Sequence, residues 1–246
     1  MSPSPAYRHP VGPLRQIDRD TYLESAATGQ YVIHLGFADV VQGIPPSTVP
    51  ELHRRLAGRA EHLIGIDSSG AGVGRAVKDG FEAYKADCQD IAELKLLNLQ
   101  QADLVIAGEL IEHVESPGSL LRAAQTLVKP GGALIVTTPN GLSGFNFMSA
   151  ALRREYIHPD HICIFTPYTL TRLAHVCSWT VQEMCVYAMP RVGKSTEAHA
   201  MWSRPLRYVM RRAIPAASTL LSRLSPALAD GLVARLAPGE SARRCE

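Results

Sequence analysis

No run of apolar residues in this 246-residue chain approaches the ~18 needed to cross a bilayer. The opening MSPSPAYRHPVGP offers proline and serine but no apolar stretch, so it does not read as a secretory leader. Cysteine is scarce and odd in number: Cys88, Cys163, Cys177, Cys185 and Cys245, with no CxxC pair. That pattern argues against a disulfide framework and predicts reduced, mostly buried thiols in a cytoplasmic protein. A strong excess of either charge is also missing. Residues 1–189 carry 15 Lys and Arg against 19 Asp and Glu, and residues 190–246 carry 10 against 4. An acidic body with a basic tail argues against a nucleic-acid channel through the body. There is no internal repeat and no low-complexity tract.

What the chain does have is alternation. Short apolar runs take turns with helical patterns, the mark of a parallel sheet covered by helices on both faces. Strands are expected at Tyr31–Leu35, His62–Ile66, Phe81–Ala86, Asp103–Ala107, Ala133–Thr138 and Thr180–Tyr187, with a seventh at Gly231–Leu236. Helices are expected near Arg19–Ala27, Thr48–Leu56, Gly70–Gly80, Ser119–Val128 and Thr166–Cys177. Pro167 would take the first helical position of the last of these, and Lys129-Pro-Gly-Gly132 reads as a turn. Residues 1–28 read as an N-terminal arm, 29–190 as the core, and 191–246 as a helical insert and last strand of the same domain.

In such a sheet, ligands sit beyond the carboxyl ends of the strands, near the switch in strand order. Four expected strand ends carry suitable groups. The first ends in His34-Leu-Gly36, where a glycine lets backbone approach a ligand. The second ends in Asp67 with Ser68 beside it, and that carboxylate suits a pair of ribose hydroxyls. The third ends in Asp87-Cys88, a carboxylate and an amide suited to an adenine edge. The fourth ends in Ala107-Gly108-Glu109. Alone, each is equally a turn glycine or a strand-capping acid. Four in succession make a stronger case.

From Tyr31 to Tyr187 the chain resembles the class I S-adenosylmethionine-dependent methyltransferases. The most specific stretch is ADLVIAGELIEHVESPGSLLRAAQTLVKPGGALIVTTPN, from Ala102 to Asn140, followed by HPDHICIFTPYTLTRLAHVCSW, from His158 to Trp179. The resemblance implies a Rossmann-like sheet of about seven strands, mostly parallel with an antiparallel last strand, and S-adenosylmethionine as cofactor. It further implies that Gly36 passes under the methionine part, Asp67 holds the ribose, Asp87 with the Cys88 amide holds the adenine, and Ala107 and Gly108 offer backbone near the sulfonium. His34, Ser68 and Glu109 complete the expected cofactor set. One stretch departs from the family. In HLGFADV, His34 stands where an acid is common, and Ala38 and Val40 replace the later glycines. A nicotinamide-dependent oxidoreductase would need a GxGxxG turn, which is absent. A methyltransferase-like module that binds without catalysis stays open.

Glu109-Leu-Ile-Glu-His113 clusters three polar groups just past the fourth strand. Imidazole titrates near neutrality, so His113 is the candidate general base, with His161 of the HPDH segment as the second catalytic candidate. Read structurally, Glu112 is a charge at a helix N-terminus. A third reading is an octahedral site for Mg²⁺ or a transition metal, built from Glu109, Glu112 and His113, joined by His158 or His161. His9, His53, His62, His175 and His199 carry no motif and receive no role. The tail has an apolar stripe from Leu206 to Leu224 at helical spacing, with Pro215 expected to kink it. Packing on the core, a homodimer contact or a roof over the substrate is expected there, with a membrane surface as the alternative. The sequence therefore predicts methyl transfer to a small-molecule acceptor, a hydroxyl oxygen of a sugar, phenol or natural-product intermediate, with no nucleic-acid partner.

Overall fold

A computed structural model describes residues 12–39, 47–155, 157–189 and 214–239, without the side chains of 214 and 215. The chain forms β1 (Arg15–Ile17), α1 (Arg19–Ala27), β2 (Tyr31–Leu35), α2 (Glu51–Ala57), β3 (His62–Asp67), α3 (Gly70–Lys78), β4 (Glu82–Lys85) and α4 (Ile91–Leu96). It continues through β5 (Ala102–Gly108), α5 (Pro117–Gln125), β6 (Val128–Pro139), α6 (Gly144–Ala151), α7 (Pro167–Val176) and β7 (Trp179–Tyr187). The described residues end with α8 (Ile214–Leu224) and β8 (Gly231–Pro238).

The eight strands make one sheet in the order β1-β7-β8-β6-β5-β2-β3-β4. β8 lies antiparallel between β6 and β7, and every other pairing is parallel. The apolar runs of β2, β5 and β6 are buried on both faces because helices cover both. One core gathers Ile33, Ile66, Val105, Leu120 and Trp179. A second gathers Leu23, Val32, Leu56, Ile106 and Ile135, and a third Phe37, Ala38, Val49, Val73 and Ala76. Trp179 is buried and donates its indole N–H to the Leu121 carbonyl at 2.9 Å, so α5 is fixed to β7.

Three local expectations change. The arm holds an eighth strand: β1 pairs with β7, a run of three residues too short to show a period. The KPGG segment is no turn; it lies inside β6, with Gly131 at φ +85° and a register shift opposite Ala102–Leu104. A Cβ on Gly132 would sit 2.8 Å from the Asp103 carbonyl, so these glycines fit an irregular strand. Helix α2 starts at Glu51 behind Pro50, not at Thr48, and no side chain caps it. Pro215 stands at the start of the described part of α8, and the residues before it, on which its expected kink depends, lie outside the described residues. The stripe from Leu206 to Met210 lies outside the described residues.

Candidate functional site

The strand order reverses between β2 and β5, where β2 leads to β3 and β4 on one side and β5 leads to β6 on the other. A cleft of about 960 Å³ opens at the carboxyl ends of these strands. Its floor is the end of β2. Gly36 has φ +66°, and a Cβ there would lie 2.6 Å from the Leu110 side chain, so any other residue would be strained and would displace Leu110. The departure at Ala38 has a compensation. A Cβ on Gly72 of α3 would collide with Ala38, so the glycine lost from the loop is replaced by one in the facing helix.

Asp67 ends β3 with its carboxylate at the cleft wall. One oxygen accepts the Ser69 N–H at 2.8 Å and the other the Ala38 N–H at 3.0 Å. Burial pushes its pKa up, and those two hydrogen bonds oppose the shift. Ser68, Asp87 and Cys88 line the same wall. Asp87 accepts the Gln89 N–H at 2.9 Å, and burial pushes the Cys88 thiol up to about 12, so it stays protonated. Gly108 lines the cleft, but Ala107 is buried beneath it and does not. Its place in the expected cofactor set is therefore not at the cleft surface.

Glu109 follows with φ +50°, a conformation rare outside glycine and asparagine, held by its N–H donating to the Thr137 carbonyl at 3.0 Å. The turn aims its carboxylate back at the sheet. There it accepts the Tyr187 hydroxyl in a short hydrogen bond and the Thr137 hydroxyl at 3.2 Å. Burial pushes the Glu109 pKa up and the Tyr187 pKa well up.

His113 lies beyond this turn. Its Nδ1 sits 3.1 Å from the Asp160 carbonyl, which can only accept, so Nδ1–H donates. The HPDH segment reaches it because the Ile162 and Cys163 N–H groups dock on the Glu112 carbonyl at 2.9 and 3.2 Å. This puts the His113 ring 4.5 Å from His161 and 5.7 Å from His158, centroid to centroid. One nitrogen from each of the three falls within 4.8 Å of the others. Burial, followed by the two neighbouring imidazoles, pushes His161 down to about 4.

Glu112 is fully buried beneath the cluster. Its Oε1 is 4.0 Å from His161 Nε2, and neither oxygen makes a well-formed hydrogen bond, although the Thr138 hydroxyl lies near enough to favour the charged form. Burial, reinforced by the Glu109 charge, pushes Glu112 up to about 8. The expected metal set is thus rearranged. Glu109 is committed to Tyr187 and Thr137, and His161 stands in its place.

Sequence reasoning missed Arg19 and His53. Arg19, from α1, lines the cleft with its guanidinium 5.6 Å from the centre of the Tyr187 ring and 2.8 Å from Asp20. Nothing local in the sequence marks it, because α1 is brought to the cleft by the packing of Leu23 and Ala27 against Val32 and Leu56. His53 is buried against His34.

A family model described as a methyltransferase domain matches residues 48–183. The ubiquinone biosynthesis O-methyltransferase of Aeromonas salmonicida (strain A449) is 27% identical over 210 residues, 78% of this chain and 83% of that protein. The protein so named in Paraburkholderia phytofirmans is 34% identical over 109 residues, 43% of this chain and 47% of that one. Among solved structures, the N-methyltransferase NodS of Bradyrhizobium japonicum WM9 superposes with a TM-score of 0.50 at 16% identity, covering 90% of this chain and 95% of that one. A SAM-dependent methyltransferase of Archaeoglobus fulgidus gives a TM-score of 0.52 at 15% identity, covering 87% and 90%. These structural likenesses speak for the fold alone. With the domain model spanning the strand-end cleft and the imidazole cluster beside it, the chain belongs to the class I S-adenosylmethionine-dependent methyltransferases.

Proposed function

We propose that the enzyme transfers the methyl group of S-adenosylmethionine to a hydroxyl oxygen of a small molecule held beside His113. The observation that carries this reading is the convergence of His113, His158 and His161 at one end of the same cleft that holds Asp67 and Asp87. In that reading Asp67 takes the ribose hydroxyls, with Ser68 beside it, and Asp87 with the Cys88 N–H takes the adenine. Gly36 and Gly108 let the methionine part lie against backbone and Arg19 faces its charged end, while Glu109 shapes the turn beneath with its carboxylate held by Tyr187 and Thr137. The sulfonium already makes the methyl an electrophile, so the protein's task is alignment and removal of one proton. His113 Nε2 receives that proton. His161, held neutral by burial, positions the acceptor hydroxyl. The names of the two relatives support oxygen as the acceptor atom. Labelled S-adenosylmethionine offered to a panel of phenols, catechols and sugars should yield an O-methyl product. His113→Ala should lower turnover about 10²–10⁴-fold. Methylation at nitrogen or carbon only would overturn the reading, and cofactor binding without turnover on any acceptor would favour a binding module.

A second reading rests on the same three imidazoles. Their spacing and the unsatisfied Glu112 carboxyl below them fit a divalent ion, held by His113, His158 and His161 with Glu112 nearest to His161. Such an ion would lower the pKa of an acceptor hydroxyl. We favour the metal-free base because it needs one imidazole alone, whereas the ion needs several ligands together; the His113 Nδ1–H···O=C contact serves either. Chelator should then leave turnover unchanged. Loss of activity on chelation, restored by Mg²⁺ or Mn²⁺, would install the metal instead.

Within the described residues, no helix is long and apolar enough to cross a membrane. We place the enzyme in the cytoplasm without a nucleic-acid partner, as a homodimer joined through its C-terminal helices. Leu220 and Leu224, 60% and 77% exposed on α8, support that joint. Sedimentation velocity at micromolar concentration decides it, and a monomer would refute it.

A further inference from the structure

His34 replaces the acid common at the end of this strand, and the structure gives it a partner the sequence does not mark. The His34 and His53 rings stack at 5.3 Å and 20°, with their Nδ1 atoms 3.1 Å apart. His53 is fully buried and His34 nearly so. Room for the pair comes from Gly65, which faces His34 in register on β3. A Cβ there would lie 3.0 Å from the His53 ring and 2.6 Å from Phe37. Beyond His53 lie Phe37 at 4.5 Å and Phe81 at 5.3 Å, and His53 Nε2 has no hydrogen-bond partner. Burial holds both imidazoles below their ordinary range, His53 at about 4, so both are neutral at pH 7 and one proton lies between the two Nδ1 atoms.

Two arrangements satisfy that bond. If His34 donates, His53 must carry its own proton on Nε2, an N–H stranded among phenyl rings. If His53 donates, only a lone pair is stranded there, and the His34 proton sits on Nε2. Buried N–H groups without an acceptor are the rarer defect, so the second arrangement is favoured. His34 lines the cleft, with Nε2 3.9 Å from where a Cβ on Gly108 would stand, and it feels the charge of Arg19, which lines the same cleft. Among the described residues, no carboxylate is among the groups that shift His34.

We propose that His53 is a positioning residue that fixes His34 as the Nε2–H tautomer, so that His34 and Arg19 together present two donors to the α-carboxylate of the cofactor's methionine end. The inference rests on the cofactor reading above. A carboxylate at position 34 would oppose that anion, whereas a neutral N–H beside a guanidinium receives it.

The ring nitrogens of ¹⁵N-histidine-labelled protein without ligand report the tautomers directly. The expected pattern at pH 7 is Nε2–H on His34 and Nδ1–H on His53, assigned by their loss in His34→Gln and His53→Phe. Calorimetry then compares S-adenosylhomocysteine with its decarboxylated counterpart. His53→Phe should erode the preference for the carboxylated ligand about tenfold, the scale of one hydrogen bond to a charged group, with affinity for the decarboxylated ligand unchanged. His53→Asn, whose amide N–H replaces Nδ1–H, should restore the preference. An Nδ1–H signal on His34, or equal weakening of both ligands in His53→Phe, would overturn the proposal. A wild type that binds neither ligand would overturn the cofactor reading and this inference with it, whatever the ring spectrum.

Discussion

Replacing Glu112 with glutamine tests the buried carboxyl beneath the imidazole cluster. In the folded chain its pKa moves from 4.5 to about 8 because the ionised form has lost water and faces Glu109. Between those values the folded state binds a proton that the unfolded state has released. Stability therefore falls as pH rises from about 4.5 to about 8, and the loss is complete above that. At 1.36 kcal/mol per tenfold change in proton affinity, the full span corresponds to about 5 kcal/mol. Glu109 and Glu112 repel each other, so Glu109 yields part of that when Glu112 is neutralised, and about 2–3 kcal/mol is the expected effect of Glu112→Gln. For a domain of this size that is about 5–10 °C in melting temperature. Differential scanning calorimetry from pH 5 to pH 8.5 should show wild type losing stability while the variant stays nearly flat, so that the variant is the more stable protein at pH 8. Parallel curves would refute the argument. The same experiment with Mg²⁺ or Zn²⁺ adds a second arm: a rise in the wild-type melting temperature at pH 8 that Glu112→Gln abolishes would mean that the carboxylate is held ionised by a cation.

Asp67→Ala should weaken S-adenosylmethionine binding by about 1.5–3 kcal/mol in a calorimetric titration, and unchanged affinity would remove Asp67 from the site. Gly231→Ala should drive a methyl group into the Tyr187 ring that lies over it in register, with a cost of about 1–3 kcal/mol in thermal denaturation and loss of the Tyr187–Glu109 hydrogen bond. Wild-type protein should not co-sediment with anionic liposomes at physiological salt; salt-sensitive binding lost in an Arg211→Glu, Arg212→Glu double variant would assign the basic tail to a membrane surface.

The parts legible in the sequence were those with a period or a residue type that chemistry demands. The buried runs of β2, β3, β5, β6 and β7 announce a parallel core, and the acids after them announce a strand-end site. Thr166-Pro167 marks the start of α7 as expected, with a Thr166–Thr169 capping box. What was illegible is made by contacts distant in sequence. β1 exists because β7 offers an edge, not because three residues prefer extension. Glu109 reads like a metal ligand until Tyr187, 78 residues away, claims it. His53 carries no motif, since its meaning comes from Gly65 and His34 on neighbouring strands. Helix α6 escapes notice because it buries Gly144 and Ser149 and exposes Phe147, the reverse of the pattern that a periodicity search seeks.

The short strand β1 has a consequence for anyone shortening the protein. Arg15 and Tyr22 both bind Glu183 at 2.7 Å, so β1 and α1 are clasped to the outer strand of the sheet by one carboxylate. A version trimmed to begin at Tyr31 would uncover the flank of β7 from Cys185 to Tyr187, where free amides and carbonyls invite a neighbouring molecule to add its own strand. Such a trimmed protein should come out of purification as soluble aggregates and lose Arg19 from the cleft at the same stroke, so a failure to bind cofactor in that form would say nothing about Asp67 or Asp87.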